Sequence, residues 1–420
     1  MVQASRGCAG NQSPLSQKEG KELKSRAMAL NPHFAYVPEA DRYILSKGTP
    51  SYKFNVIGTG VNGQEHIRVT ELEGRAQMHG VYDPNPGSVA AAQREYSRFA
   101  PGHELHVYDS LEACCNDPEV DGLLICTPNY THLEVVKVAA KSGKHILLEK
   151  PIATTIKDAF EIQQLADSYE GVFQIGLQYR YKAIYSEAIH EVFERKSIGE
   201  VKTISILEHR LPFLDKVGQW NKFSKYSGDT LVEKCCHYFD LMNLFAGARP
   251  QSVFATGSQA VNFKDFEYDG DTSDILDNAM VIVSYENGVQ ASFNLCMFAP
   301  MFYEELTLCG DGGRLKVWEN EDFLPQSGSG TYLEVLHGDD KPSRRTTPHY
   351  PAIIEATGHH GATYYEHVQF VNKIEGKEST AATANEGLWS IIVAAAAQVS
   401  IKKGSPISIN DFLTEEGLEL

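Results

Sequence analysis

A chain of 420 residues with 42% hydrophobic and 22% charged side chains has the make-up of an ordinary globular protein, long enough for two or more domains. Its formal net charge of −17 argues against a nucleic-acid backbone or an anionic membrane surface as the main partner. No apolar run approaches the length of a membrane span and the N-terminus lacks the apolar core of a signal peptide, so a cytoplasmic location is expected.

Residues 1–51 are polar and mixed in charge, with short apolar clusters at Phe34–Val37 and Tyr43–Leu45. They read as an N-terminal arm, ordered in part by packing on the body or on a partner subunit. Glu19, Glu22 and Glu39 argue against a mitochondrial transit peptide, which is acid-poor.

Residues 52–178 alternate between strand and helix. Phe54-Asn55-Val56-Ile57 is an apolar strand that runs into Gly58-x-Gly60-x-x-Gly63, and the stretch from Gln64 to Leu72 can form a helix. Gly58 permits a tight turn, Gly60 leaves room for a pyrophosphate, and Gly63 lets the helix lie close on the strand. The helix N-terminus offers free N–H donors to phosphates. Gly58, Gly60, Val61, Asn62 and Gly63 are therefore the expected cradle of a dinucleotide. Met78–Tyr82 is a second strand and ends next to Asp83, at the distance from Gly63 where an acid accepts the ribose hydroxyls of NAD and repels the additional phosphate of NADP. NAD is the expected cofactor, NADP the less favoured one.

Pro86–Phe99 is alanine-rich and helical, and His106–Tyr108 is a short strand with a helix starting after Asp109-Ser110. Gly122–Thr127 is apolar without alternation, as a buried parallel strand requires. Helix His132–Ser142 closes at Gly143. Strand His145–Leu148, helix Thr155–Tyr169 and strand Val172–Leu177 complete a doubly wound, Rossmann-type α/β sheet.

From residue 179 to 420 the pattern changes. Val201–His209, Ser252–Ala255, Ala279–Tyr285, Val289–Cys296, Glu304–Leu308 and Arg314–Trp318 are strands with no helix between most of them. Asn287-Gly288 predicts a two-residue hairpin turn, and Gly310–Gly313 joins another pair. Gln326–Pro348 reads as a long surface loop, and Ala362–Ile374 and Glu386–Lys402 as two late helices. The second domain is thus an α+β unit on an open, mainly antiparallel sheet.

Three segments carry chemistry. Cys126-Thr127-Pro128-Asn129 and Glu149-Lys150-Pro151 close the fourth and fifth strands, and strand C-termini in such sheets form the ligand crevice. A lysine there aims its ammonium at the crevice. In Glu233-Lys234-Cys235-Cys236-His237, a helix would put Glu233 and His237 one turn apart on one face. Such a pair suits general-base work, with the imidazole taking a hydroxyl proton and the carboxylate orienting or charging it. A metal there would recruit Cys236, but neighbouring Cys and His point to different helix faces, and no metal is expected. Arg180, Trp220, Asn221, His359 and His360 are further candidates for substrate contact, Trp220 through stacking on a sugar face. The eight cysteines include no C-x-x-C pair and read as reduced thiols.

With these residues the chain resembles the Gfo/Idh/MocA oxidoreductases over about residues 52 to 410. The likeness rests on Gly58–Gly63, on Cys126-Thr127-Pro128-Asn129-Tyr130-Thr131-His132, on Gly143 to Glu149-Lys150-Pro151, and on Gly228-Asp229-Thr230-Leu231-Val232-Glu233 through His237 to Asp240. It implies a Rossmann domain, a C-terminal α/β domain with an open sheet, and an active site between them. Thr127, Pro128, Asn129, His132, Glu149 and Lys150 would then join the cofactor site. Lys150 would contact the reacting hydroxyl and His237 would act as acid/base. The family places Asp four residues before this histidine; Glu233 keeps the charge and adds a methylene.

The expected activity is NAD-dependent oxidation of a secondary hydroxyl of a cyclic polyol, sugar or glycoside, with His237, Lys150 and Glu233 as the catalytic set. A redox-assisted glycosidase and a non-catalytic NAD-binding regulator are the alternatives. The resemblance and the open sheet imply a homodimer or homotetramer.

Overall fold

The structure, a computed structural model, describes residues 49–321, 330–338 and 342–418. The expected N-terminal arm lies almost wholly outside the described residues.

The first unit is a six-stranded parallel sheet in the order β3-β2-β1-β4-β5-β6. Its strands are β1 (Tyr52–Ile57), β2 (Ala76–Tyr82), β3 (His106–Val107), β4 (Gly122–Ile125), β5 (His145–Glu149) and β6 (Phe173–Gly176). All residues of β4 and β6 are buried, which explains their unbroken apolar or neutral runs. The connecting helices are α1 (Val61–Glu73), α2 (Pro86–Phe99), α3 (Leu111–Asn116), α4 (His132–Ala139) and α5 (Ile156–Asp167). The side chains of Asn85, Ser110 and Thr155 cap α2, α3 and α5 by accepting from backbone N–H groups of the first turn. β1 stops at Gly58 because its φ of 90° lies in the left-handed region and a Cβ there would sit 2.7 Å from the Cys126 carbonyl.

The helix α6 (Ala183–Ile189) leads into the second unit, a nine-stranded sheet whose centre is β7 (Val201–His209). Around β7 lie β8 (Pro250–Ser258), the small hairpin β9 (Glu267–Tyr268) and β10 (Asp271–Thr272), β11 (Asn278–Tyr285), β12 (Gln290–Cys296), β13 (Phe302–Gly310), β14 (Gly313–Glu321), β15 (Gly330–His337), β16 (Arg344–Thr346) and β17 (Ile407–Ser408). The sheet order is β16-β15-β14-β13-β7-β12-β11-β8-β17, and only the β7–β12 pair is parallel among these neighbours. Three longer helices belong to this half of the chain: α7 (Cys236–Ala246), α8 (Ala362–Ile374) and α9 (Ala384–Lys403). One face of the sheet carries the core and is covered by α7 and α9.

Two local expectations are corrected. The β11–β12 hairpin has a three-residue loop rather than a two-residue one. Gly288 N–H donates to Tyr285 O, Tyr285 N–H to Val289 O, and Gly288 takes φ 87°. Only that glycine is left-handed, so a type I turn with a bulge forms instead of the turn that needs both residues at positive φ. The expected loop over Gln326–Pro348 contains β15 and β16. Leu333 and Val335 are buried in the core of the second unit, and their burial outweighs the turn-like composition.

The helix α8 returns from the second unit to the first. Phe370 and Val371 pack with Phe54, Val56 and Leu147, and the Phe54 and Phe370 rings meet at 5.6 Å between centroids. Among the described residues no helix is long and apolar enough to cross a membrane.

Candidate active site

The glycine loop has the shape the spacing predicts. A Cβ on Gly63 would lie 2.1 Å from Gly58 O, so α1 can approach β1 only over a glycine. A Cβ on Gly60 would meet nothing within 4 Å, so that face of the loop is open. Gly60 is the N-cap of α1 and no side chain caps the helix, which leaves its first amides, at Val61, Asn62 and Gly63, available to an anion. Asp83 stands at the end of β2. Its Oδ2 accepts from Thr59 N–H (2.7 Å) and lies 3.1 Å from the Thr59 hydroxyl, and its Oδ1 accepts from Asn85 N–H (2.8 Å). The acid therefore also braces the glycine loop. These residues fit a dinucleotide: the open face at Gly60 and the first amides of the helix would hold its pyrophosphate, and Asp83 would hold its ribose.

The residues that close β4 and β5 divide into two groups. Thr127 and Pro128 line the loop, where the Thr127 and Thr131 hydroxyls lie 2.9 Å apart and Thr131 donates to Pro128 O (2.7 Å). Asn129 is buried and donates to Ser227 O (3.3 Å), which joins the first unit to the second. His132 is fully buried between two carbonyls, Pro151 O (2.9 Å) and Thr127 O (3.1 Å); it holds two loops together instead of facing the crevice. Burial also lowers its pKa. Glu149 likewise points inward. Its Oε1 meets His66 Nε2 at 2.8 Å and its Oε2 accepts from the Lys150 N–H at 3.1 Å.

Lys150 reaches across to the second unit, where its Nζ donates to the Glu233 carbonyl (3.2 Å). Burial works against its charge, but the Glu233 and Glu149 carboxylates outweigh that and raise its pKa, so it is an ammonium.

Glu233 and His237 do not share one helix. The short helix Asp229–Glu233 ends at the acid, and α7 begins at Cys236. Lys234 N–H and Cys235 N–H both turn back to Thr230 O, which marks the break. The Glu233 carboxylate takes Lys216 Nζ as partner at 3.1 Å, and Lys216 lies 4.3 Å over the Trp220 ring. Burial would raise the pKa of Glu233, yet Lys150, Lys216 and Arg210 hold it down at about 2.

His237 is stacked face to face on Tyr179, with centroids 4.0 Å apart and planes at 9°. It is almost fully buried and its Nδ1 has no hydrogen-bond partner among the described residues. Burial first, then the charges of Lys150, Lys234, His359 and Lys182, push its pKa well below the ordinary 6.5. The expectation that Glu233 orients or charges this imidazole is thereby overturned. The groups around the ring are cations and the acid is bound elsewhere, so His237 is a neutral imidazole at neutral pH.

The remaining candidates scatter. Trp220 reaches the site through Lys216. Asn221 is buried and shapes the loop over residues 210–222 by donating to Leu214 O (3.0 Å). His359 pairs with Glu65 (2.9 Å), whereas His360 stacks on Phe302 at 6.0 Å and lines a separate cavity of about 280 Å³ with Glu319, Asn320 and His349. Arg180 is not brought to the crevice. Its guanidinium grips both oxygens of Asp240 (2.6 and 2.5 Å) and reaches Glu386 at 2.8 Å. Arg180 and Asp240 are both buried, so Arg180→Ala strands an uncompensated carboxylate. It should cost about 3–5 kcal/mol in denaturant unfolding while leaving the KM of the folded fraction in place; a raised KM at unchanged stability would restore Arg180 to the substrate site.

Sequence reasoning passed over Tyr179, Lys216 and Lys234. Lys234 stood within the Glu233–His237 segment, but its partners, Glu208 at 3.2 Å and the Tyr179 hydroxyl, come from distant elements. The described cysteines are all free, as expected of reduced thiols.

Comparison with known proteins finds matches to both units of the chain. Residues 52–177 match an oxidoreductase family's NAD-binding Rossmann fold, and residues 191–409 match its C-terminal alpha/beta domain. The chain is 26% identical over 361 residues to inositol 2-dehydrogenase of Rhizobium meliloti, covering 85% of this chain and 99% of that protein. It is 22% identical over 368 residues to myo-inositol 2-dehydrogenase of Thermotoga maritima, covering 86% and 99%. A levoglucosan dehydrogenase solved in complex with NADH shares the fold at a TM-score of 0.71 and 19% identity, over 85% of this chain and 99% of that one.

Proposed function

This chain belongs to the Gfo/Idh/MocA oxidoreductase family, and from that premise we propose that it oxidises one secondary hydroxyl of a cyclic polyol, sugar or glycoside with NAD as acceptor. It is an NAD(P)-dependent oxidoreductase with an NAD-binding Rossmann domain. One observation carries the finer reading: Lys150, at the carboxyl edge of the parallel sheet, crosses to the second unit and donates to the carbonyl of Glu233, in the segment that carries the buried His237.

His237, neutral because cations and burial surround it, takes the proton of the substrate hydroxyl. Lys150 stabilises the negative charge that grows on that oxygen. NAD, when bound, would supply the acceptor for the hydride on the carbon that bears that oxygen. The Glu233–Lys216 pair presents an acceptor and a donor to neighbouring hydroxyls, and Trp220 presents an apolar face to a ring. The names of the relatives, inositol and levoglucosan dehydrogenases, support a cyclic polyhydroxylated substrate.

The test is incubation of the pure protein with NAD and a panel of inositols, sugars and aryl glycosides, following NADH and released aglycone together. Stoichiometric NADH without aglycone is the expected result. Aglycone release without net NADH would replace this reading with a redox-assisted glycosidase, and neither product would favour a regulator.

Asp83 puts a negative charge where NADP carries a phosphate, so NAD should bind more tightly in calorimetry. Asp83→Ser should narrow the preference, and it should weaken NAD as well, because Thr59 loses its brace. Equal or tighter NADP binding by the unaltered protein would overturn the assignment. We place the protein in the cytosol as a homodimer or homotetramer formed through the outer face of the second sheet, where Met280 and Ile282 are exposed.

A further inference from the structure

Next to Lys150, around the Glu149 side chain, four distant parts of the chain converge. His66 comes from α1, Glu149 from the end of β5, and Glu366 with His367 from α8; Cys126, after β4, faces His66. One donor atom each of His66, Glu149 and Glu366 lies within 4.8 Å of the others. The three residues are buried, at 1%, 3% and 0% exposure.

Glu366 sets this cluster apart from an ordinary buried network. Neither of its carboxylate oxygens has a hydrogen-bond partner among the described residues. A buried carboxyl without a partner is costly, and a second carboxylate beside it adds like-charge repulsion. Neither the Rossmann fold nor the proposed chemistry needs an acid at this position. From this geometry we propose that His66, Glu149 and Glu366 form a divalent-cation site, taken by zinc.

The donor chemistry selects the metal. One imidazole nitrogen and two carboxylates, with a thiol at hand in Cys126, suit Zn²⁺, whereas Mg²⁺ and Ca²⁺ favour oxygen alone. The support around the ligands is also in place. With Nε2 directed to the metal, the other ring nitrogen of His66, Nδ1, keeps its partner His367 Nε2 at 2.7 Å, and His367 Nδ1 lies 3.4 Å from the Thr70 hydroxyl. A ligating histidine held this way by its second nitrogen has a fixed orientation. Zinc bonds of roughly 2.0–2.2 Å require the donors to draw in, and Glu366, which no hydrogen bond tethers, is the ligand free to do so. The ion would pin α8 to the Rossmann core next to Lys150, as a structural site that takes no part in hydride transfer.

The experiment uses the full-length protein, dialysed against excess zinc sulfate, desalted and analysed for metal. About one zinc per chain is expected, and X-ray absorption of this wild-type sample should show nitrogen and oxygen ligands at about 2.0–2.1 Å. Glu366→Gln, nearly the same shape without the charge, should lower zinc affinity at least about tenfold, with folding checked by circular dichroism. At equal zinc concentration, zinc should raise the melting temperature of the wild type more than that of the variant. Wild-type protein that retains no zinc, a sulfur-only or fully hydrated shell in the absorption spectrum, or equal zinc retention by Glu366→Gln would each overturn the proposal. None of these readouts depends on the substrate, so they stand apart from the oxidation assay.

Discussion

Lys150→Ala and His237→Ala are each expected to lower turnover by about a hundredfold or more, the scale for loss of a positioned acid–base group or charge stabiliser. Neither residue belongs to the glycine cradle, so both variants should fold and still bind NAD. The two losses have different causes and separate by pH. His237 lies well below its ordinary pKa because it is buried and faces Lys150, Lys234, His359 and Lys182. The group is a base with a lowered pKa, so its active, neutral form persists below pH 6.5 and is lost only as the pH falls through the depressed value. The acidic limb of kcat/KM should therefore fall below the ordinary histidine range. Lys150→Ala removes one cation from that set, so in its residual activity the limb should move up towards that range. Near-parent turnover in either variant on the true substrate would remove that residue from the mechanism. A limb at or above the ordinary histidine pKa in the parent would mean that another group is titrating.

Gly63→Ala and Gly60→Ala should fail in different ways. The methyl carbon added at position 63 would stand 2.1 Å from the Gly58 carbonyl oxygen, a backbone atom fixed by the turn. Overpacking of this kind costs about 1–3 kcal/mol, and at this distance the upper end is expected, with NAD binding lost as α1 is pushed off β1. Gly60 has open space where its Cβ would go and a φ of −64° that alanine adopts freely. Gly60→Ala should melt like the parent and bind NAD more weakly, because the methyl group fills the face offered to the pyrophosphate. Paired thermal melts and calorimetry check this. If Gly60→Ala kept full NAD affinity, the pyrophosphate would not lie over that face. If Gly63→Ala were as stable as the parent, the close helix–strand approach would not be needed.

The sequence alone was enough for the first unit because its determinants are local. The glycine spacing, the unbroken apolar strands and the capping residues Asn85, Ser110 and Thr155 act within a few residues of one another. Strand alternation likewise exposed most of the second sheet, including β7 at its observed limits. It did not expose β15 and β16, since their glycine and charged residues look like a loop until β14 supplies a partner edge. The candidate site was legible where the backbone alone aims a residue, as at Lys150 after β5. It was illegible where a side chain chooses among distant partners. Arg180 and Asp240 meet across 60 residues, Glu233 takes Lys216 from a kinked loop instead of His237, and His66 meets His367 across 301 residues. Charge and ring type are visible in a sequence; which charges end up sealed together is set by the packing of one unit on the other. That packing, by burying His237 and then by setting Lys150, Lys234, His359 and Lys182 around it, holds its pKa down.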